Sequence, residues 1–78
     1  MHEIGVAKEL LKLAFQKAEG RKILRLSVEL GDDGHTTPAT LREAFGILSK
    51  NTIAEGCELQ IAQTKDLETR LISLDIVP

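Results

Sequence analysis

The sequence contains no tryptophan and no tyrosine, and it has two phenylalanines and one cysteine. The scarcity of aromatic rings removes the stacking platforms on which single-stranded nucleic acids usually bind. Because Cys57 stands alone, the chain can build neither a disulfide framework nor a four-cysteine metal site, and we expect a reducing, cytoplasmic location. No apolar run reaches the roughly 18 residues that a membrane span needs. The basic and apolar segments of a secretory signal are also missing from its start.

What remains is the composition of one small globular domain. The 78 residues carry 10 basic and 12 acidic side chains with interspersed signs, and the net charge is −2. No basic stripe for nucleic acid is therefore expected. Hydrophobic residues make up 42% of the chain, which argues against disorder and predicts an aliphatic core. A core this small would gain stability from a partner or a second copy.

Two segments have the hydrophobic periodicity of amphipathic helices. The first runs from Ile4 to Ala18, and its apolar arc covers more than half of the circumference, so that some of it is left over for a partner. Thr37 and Pro38 are typical of an N-cap and a first helical residue, and the second helix should end near Asn51. The apolar positions of the two helices are Ile4, Ala7, Leu11, Ala14 and Ala18, then Leu41, Ala44, Phe45 and Leu48.

Three segments alternate as half-buried strands do: "KILRLSVEL", "CELQIA" and "TRLISLDIV". The short connection "TKDLE" favours an antiparallel hairpin between the last two strands. The order is then α-β-α-β-β, and we predict an α/β (α+β) two-layer sandwich in which two helices cover one face of a three-stranded sheet. An exposed third strand could pair with a second copy as a homodimer. The positions predicted to point inward are Leu24, Leu26, Val28, Leu30, Cys57, Leu59, Ile61, Ile72, Leu74 and Ile76.

The opening "MHE" places a histidine one peptide bond from the α-amine, directly before the first helix. The α-amine of Met1, the backbone nitrogen of His2 and its imidazole Nδ1 can close two adjacent chelate rings on one metal ion. The backbone nitrogen of Glu3, or an outside ligand, can complete a square, and a square of four nitrogens suits Ni(II) or Cu(II) and not Zn(II). Amides at a helix start have no helical acceptor, so their deprotonation breaks no helical hydrogen bond.

Simpler interpretations exist for these and other candidate residues. Any second residue can be a histidine, and Glu3 can merely complement the helix dipole. His35 lies beside two aspartates in "GDDGHTTP", which could form a weak metal site but is more typical of a solvent-facing turn. Cys57 is in phase with two apolar residues, which favours a buried, inert thiol. The chain shows no catalytic pairing and no phosphate loop, so it is not expected to be an enzyme.

The sequence resembles a known family over essentially its whole length. "MHE" at the start of a helix, "TPATLREAFGILSKNTIAEGCELQI" and "ETRLISLDI" resemble, in this order, the HypA/HybF family of hydrogenase-maturation nickel metallochaperones. The resemblance implies that Met1, His2 and Glu3 bind Ni(II). It also implies delivery to nickel–iron hydrogenase, or to urease in some organisms, with a maturation GTPase and the large subunit of the nickel enzyme as partners.

The chain departs from that family at one place. Members carry a zinc-binding domain with paired C-x-x-C motifs between the second and third strands, where this sequence has only "QTKDLE". We therefore expect residues 1–78 to form a single nickel-binding domain without zinc, the insertion point near 63–68 being closed by a short turn. The alternative is a scaffold or protein-interaction domain that kept the fold and lost metal trafficking.

Overall fold

The structure is a computed structural model that describes residues 2–78, with His2 described for its backbone only. Two helices and three strands follow one another in the predicted order. They are α1 (His2–Ala18), β1 (Ile23–Leu30), α2 (Pro38–Leu48), β2 (Glu58–Gln63) and β3 (Arg70–Ile76). In the described part of the chain, no helix combines the length and the apolar character that crossing a membrane needs.

The helix ends follow from local chemistry. The Thr37 hydroxyl accepts from the backbone N–H of Thr40, whose own hydroxyl accepts from the backbone N–H of Thr37, so α2 begins with a reciprocal cap. Pro38 comes next, as predicted, and the helix ends at Leu48, earlier than Asn51. After α1, Glu19 and Gly20 both have positive φ, a backbone conformation that ends a helix.

The sheet order corrects one prediction. The strands lie in the order β2-β1-β3, with β2 parallel and β3 antiparallel to β1, so β2 and β3 do not form a hairpin. The connection 64–69 passes over the end of β1 instead. Three hydrogen bonds fix it there, from Thr64 N to Leu30 O (3.0 Å), from Gly31 N to Thr69 Oγ1 (2.9 Å) and from Asp32 N to Asp66 O (2.8 Å).

Two β-bulges change which residues of β1 and β3 face the core. The pairing of β1 with β3 shifts register between Ile23 and Arg25 and between Ser27 and Val28. Leu24 and Ile72 are the extra residues at these points, and they are 49% and 57% exposed. Both were predicted to point inward. The fully buried residue is Ile23, and Leu71 packs against the core in place of Ile72.

The core lies between the helices and one face of the sheet, and it is aliphatic as predicted. On the opposite face, the Arg25 guanidinium on the central strand is 3.5 Å from the Glu58 carboxylate of β2 and 3.3 Å from the Asp75 carboxylate of β3. These exposed pairs contribute little energy each, but they join all three strands. The buried apolar side chains are Ala7, Leu10, Leu11, Ala14, Ala18, Ile23, Leu26, Val28, Leu30, Leu41, Ala44, Phe45, Ala54 and Leu59.

Candidate metal centre

The start of α1 is where the sequence predicts a metal site. The helix begins at His2, and Glu3 is the acidic residue of its first turn. Met1 and the His2 side chain, two of the three predicted ligands, lie outside the described residues. Glu3 is described and half-buried, so it is the part of the predicted site that the structure positions.

The backbone at this end of α1 has the property that amide coordination requires. The first four N–H groups of a helix have no carbonyl acceptor in the preceding turn. Because α1 begins at His2, the amides of residues 2 and 3 belong to this group. A metal ion can replace their protons without loss of a helical hydrogen bond, and two amidates would offset the positive end of the helix dipole.

Glu3 lies next to helix α2. Glu3 and Ile4 line a cleft of about 110 Å³ together with Thr40 and Glu43 of α2. Glu43 was not singled out in the sequence. It is distant from the N-terminus along the chain, and only the packing of α1 against α2 brings it there. The cleft thus places a second carboxylate beside the start of α1.

The His35 loop is organised around the Asp33 carboxylate. Asp33 Oδ1 accepts from the backbone N–H of Thr36 at 2.7 Å and of His35 at 2.8 Å, and Oδ2 accepts from the Thr36 hydroxyl at 2.7 Å. These bonds, the one from the Thr36 backbone foremost, lower the pKa of Asp33 to about 2. Asp33 thus caps the turn. Both oxygens of the Asp33 carboxylate therefore accept hydrogen bonds from residues of its own loop.

Cys57 is half-buried, less than the sequence predicts. Burial raises the pKa of its thiol, and the positive charge of Lys22 opposes that shift in part. A thiol with a raised pKa stays protonated at neutral pH and is a poor nucleophile and metal ligand. The structure supports the inert role predicted for Cys57.

In the part of the chain that the structure describes, no group of three or more histidine, cysteine, aspartate and glutamate side chains could hold a metal ion. This finding covers the surroundings of His35 and Cys57. It does not reach the predicted site, since Met1 and the His2 side chain are outside the described residues and the other ligands there are backbone nitrogens.

Residues 1–68 match the family model for "Hydrogenase/urease nickel incorporation, metallochaperone, hypA". The chain is 36% identical over 63 residues to the hydrogenase maturation factor HypA of Dehalococcoides mccartyi strain 195, covering 77% of this chain and 53% of the relative. It is 29% identical over 65 residues to the HypA of Crocosphaera subtropica, covering 83% of this chain and 57% of the relative. The chain thus spans little more than half the length of the curated relatives it matches.

The fold has a counterpart among solved structures. The solution structure of the Ni metallochaperone HypA from Helicobacter pylori superposes with a TM-score of 0.77 at 18% identity, covering 96% of this chain and 97% of that chain. At this identity the likeness supports the fold alone, and it agrees with the two-helix, three-stranded architecture. Membership follows from the family model, which takes in 68 of the 78 residues. The chain belongs to the HypA family, whose members are metallochaperones and maturation factors, not enzymes.

Proposed function

We propose that this chain binds Ni(II) at its N-terminus and hands it on for the maturation of nickel enzymes. The ligands are the α-amine of Met1, the backbone nitrogen and imidazole of His2, and the backbone nitrogen of Glu3. The observation that carries the proposal is the start of α1 at His2, which leaves the amides of residues 2 and 3 without helical acceptors. The family match from residue 1 supports it.

The proposed ligand set selects the metal. Three nitrogen donors held in adjacent five- and six-membered rings lie in one plane with the metal ion, which suits the d-electron configuration of Ni(II) or Cu(II). Zn(II) prefers a tetrahedron and gains nothing from that plane. Glu3 adds a negative charge next to the site from the first turn of α1, and Glu43 adds another across the cleft.

The domain organisation belongs to the same proposal. Residues 1–78 form one nickel-binding domain, and no zinc lobe follows β2. The hydrogen bonds of the 64–69 connection to the end of β1 support this, because they close the sheet locally. The partners are the maturation GTPase and the large subunit of the nickel enzyme, proposed from family membership. A homodimer and a cytoplasmic location also stay predictions.

The test is a nickel titration of the untagged protein at pH 8, followed by absorbance. A free Met1 amine should give the visible band of square-planar Ni(II), with saturation at one ion per chain. Acetylation of the amine, or an N-terminal extension by two residues, should abolish that band without any change in the far-ultraviolet circular dichroism.

A second pair of samples separates the proposed site from others. His2→Ala should lose the band, while His35→Ala, which removes the other imidazole, should keep it. A band that survives His2→Ala and disappears in His35→Ala would contradict the proposed ligands. If none of the samples binds nickel, the scaffold alternative replaces the metallochaperone.

A further inference from the structure

One surface of the molecule is not used by the proposed nickel site. A groove of about 560 Å³ runs between α1 and the 64–69 connection, and we call it the α1 groove. Its walls are mainly aliphatic. The residues that line it include Val6, Glu9, Leu10, Leu13, Asp33 and Leu67.

Two leucines on opposite walls of the α1 groove are exposed to solvent. Leu67 is 81% exposed and Leu13 is 39% exposed, although both are large apolar side chains. Burying such side chains against a partner removes apolar surface from water and therefore favours binding. Leu13 belongs to the apolar arc of α1, which is wider than the surface that the sheet and α2 cover. In the structure it lies at the edge of the groove.

The wall that carries Leu67 is held in place before any partner arrives. The backbone N–H of Asp32 donates to the Asp66 carbonyl at 2.8 Å, and the backbone N–H of Gly31 donates to the Thr69 hydroxyl at 2.9 Å. A Cβ on Gly31 would lie 2.6 Å from the carbonyl oxygens of Leu67 and Glu68, which shows how closely the connection approaches β1. A preformed wall lowers the entropy cost of binding.

The charge of the α1 groove has one sign. Its charged lining residues, Glu9 and Asp33, are both carboxylates. Asp33 stays ionised at neutral pH because three hydrogen bonds hold its charged form, with a pKa of about 2. The basic side chains Lys8 and Lys12 of α1 line a neighbouring groove, on the side of α1 that faces Leu48, and Glu9 lies between the two grooves and lines both.

We propose that the α1 groove binds a basic amphipathic helix of a partner protein. Apolar residues of that helix cover Leu13 and Leu67, and lysine or arginine residues beside them pair with Glu9 and Asp33. The part of α1 from Gly5 to Leu13 rises about 12 Å, which matches roughly two turns of a bound helix. A partner in this position lies within one helical turn of the start of α1. Docking itself does not depend on nickel.

The experiment uses the metal-free chain of residues 1–78 labelled with ¹⁵N and three synthetic helical peptides of equal length. The first peptide is an amphipathic helix with leucine on one face and lysine on the other. The second has glutamate in place of lysine, and the third has serine in place of leucine. Titration is followed by amide chemical shifts in low salt. The leucine–lysine peptide should shift the amides of Val6, Leu13, Leu67 and Thr69, and the other two should bind at least about tenfold more weakly.

Matched variants test the location. Leu67→Ser should weaken binding of the leucine–lysine peptide about tenfold, and Glu9→Gln should weaken it severalfold and reduce its salt dependence. Ile72→Ser, which alters another exposed apolar residue (57% exposed, against 81% for Leu67) outside the groove, should change nothing. Equal weakening by Ile72→Ser, equal binding of the leucine–glutamate peptide, or shifts centred on Phe15 and Leu48 would each overturn the proposal. Because no metal is present, these outcomes leave the nickel proposal untouched.

Discussion

The Arg42 guanidinium of α2 donates from Nη1 to the backbone carbonyl oxygen of Leu59 in β2, across 2.6 Å. This hydrogen bond ties the second helix to the outer parallel strand. Among the residues that the structure describes, β2 pairs with β1 on one side and with no strand on the other, so it is an edge strand. A charged side chain at such an edge also discourages pairing with a further strand. Arg42 thus serves the fold, although its charge gave no indication of this role in the sequence.

We expect Arg42→Met to lower the free energy of unfolding by about 1 kcal/mol, because a charge-assisted hydrogen bond is lost while the aliphatic stem is kept. Urea denaturation followed by circular dichroism measures this. Arg21→Met, which removes the same charge from an exposed loop position, is the control and should have little effect. Equal effects of the two variants would show that the Leu59 contact contributes nothing.

The bulge at Leu24 leads to a second prediction, for two adjacent residues. Ile23 is fully buried, so Ile23→Ala should cost about 3 kcal/mol through lost burial and the cavity that remains. Leu24 is 49% exposed, so Leu24→Ala should cost less than about 1 kcal/mol. Denaturation midpoints of the two variants check this. The strand pattern read from the sequence places Leu24 inside and therefore predicts the opposite order.

These adjacent residues show what the sequence could and could not predict. Helix positions such as Leu41 and Phe45 follow from a period of 3.6 residues, which local spacing displays directly, and Thr37 with Pro38 marks a helix start by its own chemistry. A bulge is different, because it depends on the partner strand. Nothing near Leu24 or Ile72 signals that the register shifts there.

The strand order could not be predicted from local sequence either, for a related reason. A connection as short as 64–69 can form a hairpin between adjacent strands. It can equally cross the end of one intervening strand, because neighbouring strands lie only about 4.7–4.9 Å apart. The choice depends on long-range hydrogen bonds, from Thr64 to Leu30 and from Asp32 to Asp66. At the proposed metal site, the hydrophobic pattern predicts a helix from Ile4, and the structure begins α1 two residues earlier, at His2. Glu43 joins the cleft only through tertiary packing.

The capped loop at Asp33 predicts an acid-dependent loss of stability. The pKa of Asp33 falls from 3.8 to about 2 on folding, so between these values the unfolded chain binds more protons than the folded chain. The contribution of this carboxylate is thus present above pH 4 and lost as pH falls towards 2. In Asp33→Asn, the unfolding free energy should change less over this range than in the parent.

Denaturation series at pH 5, 4, 3 and 2 measure this slope. Asp32→Asn is the matched control in the same loop, since the Asp32 carboxylate accepts one longer hydrogen bond, 3.3 Å from the Gly34 amide. It should keep the steeper acid slope of the parent. If the unfolding free energy of the parent and of Asp33→Asn changed equally with pH, the hydrogen bonds from Thr36 and His35 to the Asp33 carboxylate would not form in solution.

The proposed nickel ligands predict a pH dependence with a definite sign. An α-amine ordinarily titrates near 8 and an imidazole near 6.5, and both must lose their protons before they can bind a metal ion. Coordinated amides release further protons. Nickel affinity should therefore fall at least about tenfold between pH 8 and pH 6.5, and bound metal should be released in acid. Calorimetry in two buffers of different ionisation enthalpy measures both the affinity and the number of protons released.

The proton count distinguishes the proposed site from a site of carboxylates. Amine, imidazole and amide donors together release more than one proton per nickel ion at pH 7, whereas ionised carboxylates such as Glu3 and Glu43 release none. Glu43→Gln should then leave the proton count unchanged, even if it weakens binding by removing a nearby negative charge. An affinity that is equal at pH 8 and 6.5, with no proton release, would rule out the terminal nitrogens as ligands.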